Sequence, residues 1–200
     1  MIRKLISVVL RSRFLRAGML LSMIALASPG TSVAAATPAQ NLESKLKGVF
    51  LLNFAKLVEW PATAFGNANT PVRIGILGED PFGDVLDELF RGETARGRPL
   101  EVKRAATTDR LTDCHIVFLS VVDEAQLRAW LGSFAGRPVL TVGDQEGFIE
   151  AGGMLQFVRE GKNLRFQIHA DLAATSGLKV SSRILALGKV TSGSTTLPRK

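Results

Sequence analysis

VRIGILGEDPFGDVLDEL, residues Val72 to Leu89, is the stretch on which the reading of the fold turns. Val72–Leu77 is an apolar run interrupted by Arg73 and closed by Gly78, the composition of a strand covered on both faces. Asp80 and Pro81 then supply a cap and a first-turn residue, so Phe82–Phe90 reads as a helix. Downstream the strand pattern recurs as Ile116–Leu119, ending at Ser120, and as Val139–Val142, ending at Gly143. Between them Glu124–Phe134 sets Leu127, Trp130, Leu131 and Phe134 on one helical face, and Arg98–Lys103 reads as a further strand. Strand and helix alternating in this way imply parallel pairing with right-handed crossovers.

The pattern changes after Gly153. Met154–Arg159 and Leu164–His169 flank Glu160-Gly161-Lys162-Asn163, and the second run alternates Leu164, Phe166, Ile168 against Arg165, Gln167, His169, which is an antiparallel hairpin. Short helical pieces follow near Asp171–Ser176 and Ser181–Val190. The expected architecture is one α/β domain, a three-layer sandwich on a mixed sheet of mainly parallel strands with a C-terminal antiparallel hairpin.

Ahead of the first strand, VFLLNFAKLVEWP (Val49–Pro61) is too apolar for a surface helix and too short for a bilayer span, which needs about 20 apolar residues. On a helical wheel Lys45, Asn53, Lys56 and Glu59 share one stripe, while Leu46, Val49, Phe50, Leu52, Phe54, Leu57 and Val58 fill most of the rest. A core helix with a single solvated stripe is expected.

Residues 1–36 read as a secretory signal peptide: Arg3, Lys4, Arg11, Arg13 and Arg16 without an acid, the apolar run Met19–Ala27, then Ala34-Ala35-Ala36 as a cleavage site. An uncleaved anchor is the alternative, and either reading exports the domain. Residues 37–45 then read as a linker, 46–190 as the domain, and 191–200 as a polar tail. The chain carries +7 in all, but without the leader 20 basic residues face 18 acidic ones, so no nucleic-acid footprint remains. Cys114 is the only cysteine, which excludes an intrachain disulfide and suits a small buried hydrophobe.

Catalytic chemistry finds little support. Gly75, Gly78 and Gly83 are spaced G-x-x-G-x-x-x-x-G, which is neither a dinucleotide fingerprint nor a phosphate loop. Cys114 and His115 would point to opposite faces of a strand, His169 reads as solvated, and no G-x-S-x-G elbow is present. A receiver domain would need an acceptor Asp where Ser120 stands. No enzyme, cofactor or metal site is expected. The residues following the parallel strands are acidic (Glu79, Asp80, Asp123, Glu124, Asp144, Glu146), and there they either cap helices or form an edge attractive to a cation or a basic surface.

Five blocks, FLLNFAKLVEWP, VRIGILGEDPFGDVLDEL, DCHIVFLS, RPVLTVGDQEGFIEAGGMLQFV and SGLKVSSRILAL, together resemble the YfiR-like family of periplasmic regulatory proteins, from about Leu46 to about Val190. The resemblance implies an inhibitor that binds the periplasmic domain of an inner-membrane diguanylate cyclase and so controls cyclic di-GMP and biofilm formation. It further implies an antagonist at the outer membrane or cell wall, and a homodimer. Some members of that family use several cysteines, a pattern from which this chain departs. Candidate partner or ligand residues are Trp60 as a partly exposed anchor, Asp80, Asp144, Glu146 and Phe148 in the strand-end loops, and Leu178 and Val180 near the last helix. The alternative is a periplasmic small-ligand-binding module feeding another signalling receptor.

Overall fold

The computed structural model describes residues 38–191, so the expected leader and residues 192–200 of the expected tail lie outside the described residues. Helix α1 (Pro38–Leu57) leads into the two-residue β1 (Val58–Glu59) and a 3₁₀ turn, Ala62–Ala64. There follow β2 (Val72–Gly78), α2 (Val85–Phe90), β3 (Thr94–Ala95), β4 (Arg98–Ala105), a 3₁₀ turn at Thr108–Leu111, β5 (Ile116–Ser120) and α3 (Glu124–Phe134). The chain continues through β6 (Leu140–Gly143), β7 (Leu155–Glu160), β8 (Asn163–His169), α4 (Ala170–Thr175), β9 (Lys179–Val180), α5 (Ser182–Leu187) and β10 (Lys189–Thr191).

Eight strands form one mixed sheet in the order β10-β8-β7-β6-β5-β2-β4-β3, and β1 pairs with β9 in a separate antiparallel ribbon. From β4 to β7 the pairings are all parallel, whereas β7–β8 is the expected hairpin and β3–β4 is antiparallel. Alternate residues of the central strands feed two cores. Ile74, Ile76, Ile116, Phe118, Leu140 and Val142 face α1, α2, α4 and α5, while Leu77, Val117 and Leu119 face α3. The three expected layers are therefore present. Under α1, Phe50 and Phe54 meet Phe157 and Phe166 with ring centroids 5.2–6.1 Å apart. Burying each such ring contributes roughly 1.5–3 kcal/mol.

Several expectations need correction. The polar stretch read as a linker up to Lys45 is helical from Pro38 onward, and the chain turns extended at Val58 to pair with Val180. Leu46 and Val49, expected inside, are exposed with Leu42, whereas Lys47 is only 6% exposed. Lys47 tolerates burial because its Nζ lies 2.6 Å from Asp144 Oδ2 and 2.8 Å from Glu43 Oε1, and Glu43 also pairs with Arg159. The helix expected from Phe82 starts at Val85, since Asp80 Oδ1 accepts from the backbone N–H groups of Phe82 and Gly83 and holds a turn there. The end of Ser181–Val190 is not helical either: Lys189–Thr191 pairs in parallel with β8.

Candidate functional site

Strand order reverses between β2 and β5. The connection from β2 to β4 passes through α2 on one face of the sheet, and that from β5 to β6 passes through α3 on the other. Such a switch point opens a crevice beyond the carboxyl ends of the strands. Here the crevice is a cavity of about 740 Å³, walled by Val121 and Leu127 and rimmed by Glu79, Glu124, Asp144, Glu146 and Glu150, with Ser120 and Arg128. The strand-end acids Glu79, Glu124, Asp144 and Glu146 all line this cavity. Just before Glu79, Gly78 has φ +93°, and a Cβ there would meet the Ser120 carbonyl oxygen at 2.1 Å, so only glycine lets β2 and β5 end this close together.

Many of these acids already have partners. Asp80 lies outside the cavity lining and receives Arg104 Nε at 2.6 Å, while Arg104 Nη2 donates to Asp87 and to the Gly83 carbonyl. Asp123 accepts from the Gln126 N–H at 2.7 Å and caps α3, and Glu124 pairs with Arg128 one turn on. Asp144 is held by Lys47 from across the sheet edge. Among the described residues Glu79, Glu146 and Glu150 make no ion pair, so the rim keeps a negative field. No group of three or more described His, Cys, Asp or Glu side chains is placed to hold a metal ion.

Phe148, Leu178 and Trp60 are not surface residues. Phe148 is fully buried, and its ring fills the space that a Cβ on Gly143 or Gly153 would enter, at 2.4 and 2.1 Å. The glycines of this loop therefore serve the packing of one aromatic ring. Leu178 is 2% exposed and belongs to the α1-side core, and Val180 is half-buried in the β1–β9 ribbon. Trp60 is 9% exposed because its indole N–H donates to the His115 carbonyl at 3.0 Å.

That bond belongs to a second cluster, at the amino edge of the parallel strands, which the sequence pattern did not single out. His115 is 2% exposed; its Nδ1 accepts from the Arg73 backbone N–H at 3.1 Å, and its ring stacks on Phe65 at 4.5 Å. Arg98 covers the other side of the loop, with its guanidinium 3.9 Å from the Phe65 ring centre and Nη1 donating to the carbonyls of Asn67, Ala68 and Thr70. Burial is the main cause that pushes the His115 imidazolium down to about 4. The Ala64 backbone opposes this, yet Nε2 has no well-formed hydrogen bond among the described residues. Cys114 is buried against Gly75 on the α3 side, and burial pushes its thiol up to about 12. His169, expected in solvent, is buried, with Nδ1 accepting from the Leu172 N–H at the start of α4.

The described residues thus form a three-layer α/β domain with a strand-end crevice and a closed amino edge. Residues 44–189 match the YfiR/HmsC-like family, and the chain belongs to that family. The family is regulatory rather than catalytic, and membership supports a general role as a periplasmic regulator of cyclic di-GMP signalling. Among the described residues no helix is long and apolar enough to cross a membrane.

Similar solved structures include an ABC domain in complex with L-Trp from Streptococcus pneumonia, at 12% identity over 60% of this chain and 56% of that one, TM-score 0.41. Others are a phosphoglycerate oxidoreductase from Rhizobium etli (14%, 54% and 52%, TM-score 0.31) and a Streptomyces aurantiacus imine reductase (16%, 59% and 54%, TM-score 0.33). The matches span just over half the length of each of those chains, and at such TM-scores they carry no argument about function.

Proposed function

We propose that this protein inhibits an inner-membrane diguanylate cyclase by binding the cyclase's periplasmic domain, so that its release raises cyclic di-GMP in the cytoplasm and favours biofilm formation. The family match across nearly the whole described domain carries the reading. The receptor must then have two states, with the inactive one binding this protein more tightly; each tenfold preference is worth about 1.4 kcal/mol of bias. The apolar stripe of Leu42, Leu46 and Val49 on α1 supports a protein-binding role, because a helix otherwise committed to the core exposes three large aliphatic side chains along one face. An antagonist at the outer membrane or cell wall and a homodimer are part of the same proposal.

Deleting the gene in its host and measuring intracellular cyclic di-GMP, with and without complementation by the exported form, tests the reading. A rise reversed by complementation is the expected result. An unchanged level in cells that express a cyclase with a periplasmic domain counts against it, and favours the second reading, a small-ligand module feeding another receptor. The observation behind that alternative is the carboxylate-rimmed cavity at the switch point.

A further inference from the structure

We propose that His115 is an acid-sensitive latch on the loop of residues 61–71: a proton on its ring ends the bond to the Arg73 backbone and frees the loop from the amino edge of the sheet. With Nδ1 accepting from the Arg73 N–H, the neutral ring carries its one proton on Nε2. A second proton can go only to Nδ1, which turns that acceptor into a donor facing a donor. The ring is 2% exposed, so neither water nor a rotation in place relieves the clash.

The charged groups facing the ring deepen the effect. Arg73 comes from β2 and Arg98 from β4, both cationic, and both disfavour an imidazolium. Asp113, from the turn before β5, favours it, but its carboxylate is already engaged by Arg73 Nη1 at 3.0 Å and Lys103 Nζ at 2.7 Å. Cys114, next in the chain, stays a neutral thiol. Trp60, Ala64 and Phe65 above the ring and Leu140 beside its carbonyl bring no charge.

The loop is the element with least to lose. The 3₁₀ turn at Ala62–Ala64 buries no residue, residues 66–69 are exposed, and the loop is held down by Phe65 on His115 and by Arg98 on three of its carbonyls. Loss of the His115 contact leaves Arg98 as the main tether.

Amide hydrogen exchange on the full chain, corrected for intrinsic rates, tests the latch between about pH 7 and about pH 3.5. The amides of residues 62–70, Pro61 and Pro71 having none, should lose protection at least about tenfold while α3 keeps its own. His115→Asn retains an acceptor near Nδ1 and cannot be charged, but it lacks the ring beneath Phe65, so whatever protection the loop starts with should not change across the range; His169→Asn should leave the transition in place. The same acid-induced loosening in His115→Asn overturns the proposal. Should that variant fail to fold, NMR of the wild-type His115 ring decides: coincident midpoints for ring titration and loop exchange support the latch, and a ring that titrates under a still-protected loop overturns it.

Discussion

The carboxyl edge of the parallel strands leaves its charges in water around a cavity, whereas the amino edge takes a histidine, a tryptophan and two arginines and packs them shut. At the first, Glu79, Glu146 and Glu150 surround about 740 Å³ of open volume, and neighbouring acids are neutralised one by one by Lys47, Arg104 and Arg128. At the second, the Trp60 indole N–H, His115 Nδ1 and Arg98 Nη1 find backbone partners, while His115 Nε2 has no well-formed one among the described residues. An edge that keeps solvated charge can exchange partners at small cost; one that buries polar atoms is stable only while each proton stays where it is.

The largest predicted effect would break the carboxyl edge from beneath. Phe148→Ala removes the ring on which Gly143 and Gly153 are fitted, and should cost about 3–5 kcal/mol in denaturant unfolding. The amino edge should respond to acid instead. His115 has a folded-state pKa of about 4 against 6.5 for the ordinary group, so the unfolded chain binds the extra proton first as pH falls. The stability present above about pH 6.5 is therefore lost between there and about pH 4, on the order of 3 kcal/mol, and His115→Asn should flatten that part of a stability–pH curve.

Asp144→Asn leaves Lys47 with Glu43 alone; because Asp144 is partly solvated, about 1–2 kcal/mol of loss is expected in the same unfolding assay. Smallest of all, Glu146→Gln on the cavity rim should change stability by less than about 0.5 kcal/mol. A larger change there would mean that the rim acids are structural, and the contrast between the two edges would fail.

What the chain made legible was what repeats locally. Buried parallel strands announce themselves as apolar runs, α3 carries its own cap at Asp123, and the β7–β8 hairpin shows its alternation, so the layered α/β fold could be read in advance. The misreadings share a different cause. Lys47 is buried by a carboxylate 97 residues away, and Trp60 by a carbonyl 55 residues away, and no local pattern encodes either partner. The ribbon of β1 and β9 and the strands β3 and β10 are two or three residues long, too short for periodicity to register. For the carboxyl edge the topological rule located the cavity; for the amino edge no rule pointed to His115, because its neighbours Arg73, Phe65 and Trp60 converge only once the sheet is assembled.

Helix α1 runs against the parallel strands, from the Asp144 side to Trp60, while β10 runs with β8 and ends where Thr191 pairs with His169, beside the start of β7. Because α1 touches the carboxyl edge at Lys47 and is followed at the amino edge by Trp60, a change at the cavity that shifts the helix would be read at the other edge of the sheet, in the environment of the Trp60 indole.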